Sequence, residues 1–254
     1  MAEQSSGGVQ SVERVFDLLE AMTEAGGSLT LSELAEQSQL PLPTIHRLLR
    51  TLVGRGYVRQ LANRRYALGP RLIRLGDGAS TQLGAYAKPQ LTSLVAELAE
   101  SANMAVREGD RVLYIAQVPS PHTMRMFTEV GRRAPMHNTG VGKAILSQLD
   151  DETVRGIMTR AGMPRATDKS IGDVDELLAD LQRIRERGYA IDDNEQEIGV
   201  RCFAVPVPNA PTPTAISVSG PTSRVDEAFG LRAVPLLQSI AASVGQELRS
   251  SGAR

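Results

Sequence analysis

The residues with the clearest chemical bias in this chain of 254 residues are arginines. Between Gln37 and Gly76 the sequence has eight arginines and no lysine or acidic residue, although the net charge of the whole chain is −1. They are Arg47, Arg50, Arg55, Arg59, Arg64, Arg65, Arg71 and Arg74. A solvated face normally mixes both signs of charge, so this stretch favours a surface that contacts an anionic partner. The alternatives are a solvated face and, for Arg47 and Arg50, ion pairs with acidic residues upstream, between Glu3 and Glu36.

A helix is predicted over residues 43–53, because the apolar residues form one stripe made of Ile45, Leu48, Leu49 and Leu52. The candidate DNA-contacting residues lie at its start and on its opposite face, and they are Pro43, Thr44, His46, Arg47 and Arg50. A recognition helix presents such side chains to base edges near its N-terminal end, and arginine is the usual reader of guanine. A hairpin is predicted next, with strands at 57–61 and 65–68. Arg64 and Arg65 at its tip are candidates for phosphate contacts.

A second group of residues offers hydrogen bonds to a small ligand. Ser217 and Ser219 are two residues apart on a predicted strand, so both hydroxyls project from the same face. Cys202 lies on another predicted strand, and Asp192 ends a strand just before it. The amides that begin at Gly140 precede an apolar helical run and can form an anion-accepting helix start. Hydroxyls and amides suit a carboxylate or a ureide, whereas the alternatives are solvent-facing serines, a buried thiol and an aspartate in a turn.

An enzyme that uses Cys202 as its nucleophile is a competing interpretation. A catalytic cysteine needs a base, and with His46 on the predicted recognition helix only His122 and His137 remain. The single cysteine excludes an intrachain disulfide, and three scattered histidines give no recognisable metal site. We therefore expect no cofactor, no metal and no enzyme activity.

Composition and patterning predict the elements that position these residues. Hydrophobic residues make up 41% and charged residues 22%, which is typical of a globular protein. The N-terminus lacks the apolar core of a signal peptide and no run of 18 apolar residues occurs, so we expect a soluble, cytoplasmic protein without a membrane span.

Three helices followed by a hairpin within 70 residues predict a winged helix-turn-helix, with Ser11 as the cap of the first helix. Helices and short strands, one of them at 124–130, then alternate, which indicates an α/β or α+β domain, and the fold class predicted for the whole chain is α+β. The expected domains are 9–69 for DNA binding, a linker helix at 70–85 and a second domain at 86–250.

The sequence resembles the IclR family of bacterial transcription regulators over about residues 9–250. The stretches that carry the resemblance are "SVERVFDLLEAM", "LTLSELAEQSQLPLPTIHRLLRTLVGRGYV", "RYALGPRLIRLG", "APMHNTGVGKAIL", "ERGYAIDDNEQEIGVRCFAVPV" and "AISVSGPTSR". The resemblance implies a winged helix-turn-helix, a linker helix and a GAF/PAS-like effector-binding domain. It also implies dimers, usually paired into tetramers, that bind palindromic operators in double-stranded DNA.

The family pattern also implies which residues hold the effector. The matching polar positions are Cys202, Ser217, Ser219, Asp192, Gly140 and Val141, and Met126 and Val200 match the apolar wall. Some relatives respond to glyoxylate, some control allantoin use and others take aromatic acids. The leading hypothesis is therefore a repressor released from its operator by a small polar metabolite. The alternatives are an activator that responds to an aromatic acid and, more remotely, the Cys202-dependent hydrolase.

Overall fold

The computed structural model describes residues 8–84, 87–126 and 128–252. The chain divides into two compact units, Met1–Ala79 and Ser80–Arg254. Each unit has a hydrophobic core of its own.

The N-terminal unit consists of helices packed over a small antiparallel sheet. Its elements are α1 (Gln10–Glu24), β1 (Ser28–Leu29), α2 (Leu31–Ser38), α3 (Leu42–Gly54), β2 (Val58–Gln60), β3 (Tyr66–Leu68) and the beginning of α4 (Arg71–Gly84). The strands are ordered β1-β3-β2, so the hairpin of β2 and β3 is extended by β1. Buried residues from α1, α2 and α3, among them Leu18, Leu34 and Leu49, form its core. This arrangement confirms the predicted winged helix-turn-helix and adds β1, which is too short to show a periodic pattern.

Helices α2 and α1 begin in different ways. At α2, the Thr30 hydroxyl accepts a hydrogen bond from the Glu33 amide, and the Glu33 carboxylate accepts one from the Thr30 amide. This reciprocal capping box fixes the start of the helix. At α1, the predicted cap Ser11 is wrong, because the helix begins at Gln10 and Val9 occupies the cap position without a side-chain hydrogen bond.

The C-terminal unit is a six-stranded antiparallel sheet with helices on both faces. Its elements are α5 (Lys88–Leu98), β4 (Ser101–Glu108), β5 (Arg111–Val118), β6 (Arg133–Ala134), α6 (Gly140–Leu146), α7 (Asp151–Ala161), α8 (Val174–Arg187), β7 (Ala190–Asp193), β8 (Val200–Pro206), β9 (Thr214–Pro221) and α9 (Glu227–Gly252). The strand order is β6-β5-β4-β9-β8-β7. One face packs against α6, α7 and α8, and the other packs against α5 and α9. The predicted α+β class is confirmed.

The strand predicted at 124–130 is wrong over the residues that the structure describes there. Residues 124–126 and 128–130 form no strand, and β5 pairs instead with β6. The backbone of this segment is held by side chains, because the Ser101 hydroxyl donates to the Met126 carbonyl at 2.8 Å and Arg224 Nη2 donates to the Met124 carbonyl at 2.9 Å. Its alternating apolar residues imitate a half-buried strand, but Met124 is 71% exposed. Phe127 lies outside the described residues.

Helix α9 is long and apolar enough over Glu227–Arg249 to cross a membrane, judged by length and composition alone. Its buried side chains, among them Phe229, Leu237 and Val244, pack against the sheet in the core of the C-terminal unit. A core helix of a folded domain passes the same test, and we interpret α9 as such a helix.

Candidate functional site

The exposed face of α3 carries cationic side chains. His46, Arg47 and Arg50 are exposed, as is Pro43 in the first turn, and Thr44 is half-buried. Within the described ranges of the chain, no carboxylate lies within ion-pair distance of Arg47 or Arg50. The alternative that these arginines pair with acidic residues upstream is therefore not seen in this unit, and their guanidinium groups face solvent.

The two arginines at the tip of the hairpin have different surroundings. Arg64 is exposed and has a positive φ of 64°, which places it in the tight turn between β2 and β3. Arg65 instead contacts the Glu33 carboxylate at 3.1 Å and donates to the Ser28 carbonyl at 3.0 Å. The Arg65 guanidinium thus ties the hairpin to α2 and β1, whereas the Arg64 side chain remains available to a partner.

In the C-terminal unit, strand register aligns the polar residues in a row across the sheet. Asp192 on β7 is paired with Cys202 on β8, which is paired with Ser219 on β9, which is paired with Ser101 on β4. Directly paired residues project from the same face of a sheet. We call this set the first polar row: Asp192, Cys202, Ser219 and Ser101.

A second row runs parallel to the first. Ser217 on β9 is paired with Asn103 on β4, which is paired with Gln117 on β5. Asn103 is buried, and its Nδ2 donates to the Ser219 hydroxyl at 3.3 Å, which links the two rows. We call Ser217, Asn103 and Gln117 the second polar row. The structure thus brings together the predicted Asp192, Cys202, Ser217 and Ser219.

Sequence reasoning missed Ser101, Asn103 and Gln117. Ser101 and Asn103 are separated by one residue, as Ser217 and Ser219 are, and this alternation was the available signal. What the sequence could not supply is the strand order that places β4 beside β9.

Helix α6 begins directly against the first polar row. A Cβ atom on Gly140 would lie 2.8 Å from Cys202 Sγ, so a glycine is needed for this close approach. The Thr139 hydroxyl caps the helix by accepting from the Gly142 amide at 3.1 Å. The amides of Gly140 and Val141 belong to the first turn, whose N–H groups have no intrahelical acceptor.

The two predicted wall residues lie at opposite ends of the rows. Val200 begins β8 two residues before Cys202, so its half-buried side chain shares the face of that thiol. The half-buried Met126 is tied to the first row through its carbonyl, which accepts from the Ser101 hydroxyl.

A buried ionic cluster adjoins the first polar row. Lys143 on α6 is 2% exposed, and its Nζ contacts Asp180 Oδ2 at 3.1 Å and Glu195 Oε1 at 2.5 Å. The Glu195 amide in turn donates to Asp192 Oδ1 at 2.9 Å, so the cluster adjoins the first polar row. Burial raises the pKa of Glu195, although the Lys143 ammonium opposes this shift.

Burial also shifts the pKa values of the two titratable groups in the first polar row, Asp192 and Cys202. It raises the pKa of the Asp192 carboxyl to about 7, and the backbone N–H of Glu195 opposes the shift. Burial, with the Asp192 carboxylate nearby, raises the pKa of Cys202 to about 12. The thiol therefore stays protonated at neutral pH, where a cysteine nucleophile has to be a thiolate.

The raised pKa of Asp192 predicts a pH-dependent stability. Between the usual pKa of 3.8 and about 7, the folded protein retains a proton that the unfolded chain releases. The stability that this proton contributes is therefore lost as the pH rises through that range. The Asp192→Asn variant has no carboxyl at this position and should not lose this stability. The difference in free energy of unfolding, variant minus wild type, should therefore increase by roughly 2–4 kcal/mol between about pH 4 and pH 8.

Urea unfolding at several pH values measures this difference. Asp193→Asn is the matched control, because hydrogen bonds from Arg201 lower the pKa of Asp193 and its pH effect has the opposite sign. Parallel pH profiles for wild type and Asp192→Asn would contradict the assignment of a costly buried carboxylate.

A winged helix-turn-helix in one unit, and an α+β domain with a buried polar site in the other, are the parts of a class of protein, the DNA-binding transcriptional regulators. Residues 79–246 match the family model described as bacterial transcriptional regulator IclR C-terminal, and residues 11–62 match the IclR helix-turn-helix domain. The chain belongs to the IclR family. Its relatives are transcriptional regulators and not enzymes. This confirms the expectation of no enzyme activity and argues against the Cys202-dependent hydrolase.

Similar proteins cover most of the chain. The transcriptional repressor IclR of Escherichia coli (strain K12) is 38% identical over 230 residues, which are 88% of this chain and 84% of that protein. A crystal structure of an IclR transcriptional regulator from Alicyclobacillus acidocaldarius superposes with a TM-score of 0.85 at 32% identity, covering 95% of this chain and 100% of that chain. An IclR homologue from Microbacterium hydrocarbonoxydans complexed with 4-hydroxybenzoate shares the fold, with a TM-score of 0.79 at 23% identity and coverage of 94% and 99%.

Proposed function

We propose that this protein is a cytoplasmic repressor that binds a palindromic operator and releases it when a small polar metabolite binds the C-terminal unit. The observation that carries the proposal is the first polar row, in which four strands place a carboxyl, a thiol and hydroxyls beside the start of α6. Repression is supported by the similarity to a relative named as a transcriptional repressor. In this proposal residues 9–69 bind DNA, residues 70–85 form the linker and residues 86–250 bind the effector. A gel shift on operator DNA with increasing metabolite tests it.

The proposed DNA contacts come from two elements. Side chains of α3 enter the major groove, and the residues involved are Pro43, Thr44, His46, Arg47 and Arg50. Arg64 contacts a backbone phosphate from the exposed tip of the hairpin. Arg65 was predicted in the same role, but its contacts with Glu33 and Ser28 support a second role, which is to hold the hairpin in place.

Arg47 and Arg64 should differ in how their loss affects DNA binding. If Arg47 contacts a base edge, Arg47→Ala should cost roughly 1–3 kcal/mol of binding free energy and relax specificity at one position of each half-site. Arg64→Ala should weaken binding to all sequences alike and flatten the dependence of affinity on salt. Fluorescence anisotropy with operator and scrambled DNA measures both effects, with the distant Arg155→Ala as control. The same loss and the same salt slope in both variants would contradict these assignments.

The proposed effector contacts are those that the first row and its neighbours offer. The polar contacts are Asp192, Cys202, Ser217, Ser219 and the amides of Gly140 and Val141, and the apolar contacts are Met126 and Val200. The neutral thiol and hydroxyls can each donate a hydrogen bond, which suits a ligand with carbonyl or carboxylate oxygens. A carboxylate or a ureide fits this set.

A homodimer, with a further pairing into tetramers, is part of the proposal. Three apolar residues share one exposed side of α1 and its cap, at Val9, Val12 and Phe16. Ile73 and Leu75 on α4 are also exposed. Exposed apolar residues at helical spacing favour a protein contact. A two-fold dimer would present two copies of α3 to a palindromic operator.

Phe16→Asp should disrupt this contact. Phe16 is 58% exposed, so the substitution adds a charge to the proposed interface without opening a cavity in the core. Light scattering at micromolar concentration should show a dimer or larger species for wild type and a shift towards monomer for the variant. Affinity for the full operator should then fall by at least about tenfold, because the second half-site is lost. Ile198→Asp, at a residue 77% exposed in the C-terminal unit, is the control. A stable wild-type monomer would refute the dimer.

A further inference from the structure

Within the described ranges, four buried side-chain atoms have no hydrogen-bond partner. They are Asn103 Oδ1, Gln117 Nε2, Asn138 Oδ1 and Glu195 Oε2. Leaving a buried polar atom unsatisfied is costly, so such atoms are rare in folded proteins and indicate a missing partner. Two of the four belong to the second polar row, and Glu195 adjoins the first row through its bond to Asp192.

The two atoms of the second row have complementary chemistry. Asn103 is 2% exposed, and its Nδ2 is already used by the Ser219 hydroxyl, so the carboxamide oxygen remains as an acceptor. Gln117 is its directly paired neighbour on β5 and retains a buried carboxamide nitrogen as a donor. Paired residues share one face of the sheet, so this acceptor and this donor lie on the face that carries Ser217 and Ser219.

We propose that Asn103 and Gln117 are specificity-determining residues that bind a carboxamide group of the effector, with Asn103 Oδ1 accepting from its N–H and Gln117 Nε2 donating to its C=O. The inference rests on the proposed function and narrows its ligand class from carboxylate or ureide to a compound that carries the –CO–NH– unit. A carboxylate in the same place accepts hydrogen bonds only and would leave Asn103 Oδ1 unsatisfied.

The pairing of Lys143 within the proposed effector site favours a neutral ligand group. Lys143 is the cation whose field reaches Asp192 and Cys202, but its ammonium already contacts the Asp180 and Glu195 carboxylates. The Lys143 ammonium is therefore already matched by two carboxylates and is not free to pair with a further buried anion. A carboxamide satisfies the two free atoms and adds no charge.

Two pairs of probes test the inference on the full-length protein by calorimetric titration. Oxamate and pyruvate differ only in an amino group that replaces a methyl group, and so do succinamate and levulinate. The member with the additional N–H should bind at least about tenfold more tightly in each pair, because only that member satisfies Asn103 Oδ1. In the nearly isosteric Asn103→Leu variant the preference should fall to within about twofold.

Two further variants keep the test decisive. Gln117→Met should reduce the affinity for all four probes, and it carries the test if circular dichroism shows that Asn103→Leu does not fold. Gln182→Leu removes an exposed carboxamide on α8 and should leave the preference unchanged. Equal affinities within both pairs, or no binding of any probe at millimolar concentration, would overturn the inference. If the probes bind without preference and Ser217→Ala weakens them all, the proposed effector site stands and only this inference fails.

Discussion

Replacing Lys143 with methionine is expected to lower the free energy of unfolding of the C-terminal unit by about 3–5 kcal/mol. The Lys143 ammonium is buried and contacts both the Asp180 and the Glu195 carboxylates. Methionine has a similar length but no charge, so the substitution leaves two buried carboxylates without their shared cation. The cost is the desolvation of those carboxylates rather than the loss of one attractive contact.

Differential scanning calorimetry should show this loss as a fall of roughly 6–20 °C in the transition of the C-terminal unit. Arg155→Met is the matched control, because Arg155 pairs with Asp175 at 2.6 Å on the surface, where such pairs contribute about 0–1 kcal/mol. Adding Glu195→Gln to the Lys143 variant should recover part of the stability, because it removes the carboxylate whose cation is lost, whereas Asp180 still pairs with Arg183 at 3.1 Å. A Lys143→Met protein as stable as the Arg155→Met control would contradict the buried cluster.

The double variant Ser217→Ala and Ser219→Ala should lock the regulator on its operator. Each hydroxyl lies in a polar row, and losing one should weaken effector binding by roughly 1–3 kcal/mol where its partner atom on the ligand is left unsatisfied. Ligand can change DNA affinity only through different affinities for two states of the protein. The variant should therefore bind operator DNA as wild type does when no effector is present, yet need at least about tenfold more effector for release.

Operator gel shifts with increasing effector measure this loss. Ser93→Ala in α5, outside both polar rows, is the control and should respond as wild type does. If the double variant releases DNA at the same effector concentration as wild type, the effector site lies elsewhere in the protein.

Much of the fold follows from the sequence because the helices are strongly periodic. Helix α8, Val174–Arg187, is such a helix, and local signals fix its bounds, because Asp173 caps its start and Gly188 ends it with a positive φ. Segments without a dominant local signal were predicted less well. Residues 124–130 alternate like a strand, but contacts from Ser101 and Arg224, remote in sequence, decide their conformation.

The site could be predicted only in part, for a related reason. Ser217, Ser219, Cys202 and Asp192 were accessible from spacing and family resemblance, and the structure places them in adjoining rows. Asn103 and Gln117 became visible only through strand pairing, and Lys143 only through its burial between two carboxylates. Pairing across a sheet joins residues far apart in sequence, so a single sequence carries little information about it.

Footprinting of the full-length protein on fragments of its own genome, with and without effector, tests the central claim most directly. We expect the wild-type protein to protect a two-fold symmetric site, and this protection should be lost when a small polar ligand is added. The Arg47→Ala variant should distinguish this site from other DNA sequences less sharply. A protein that binds all fragments alike at physiological salt would contradict it. Protection of a specific site that persists with every ligand that binds at Ser217 and Ser219 would also contradict a ligand-responsive repressor.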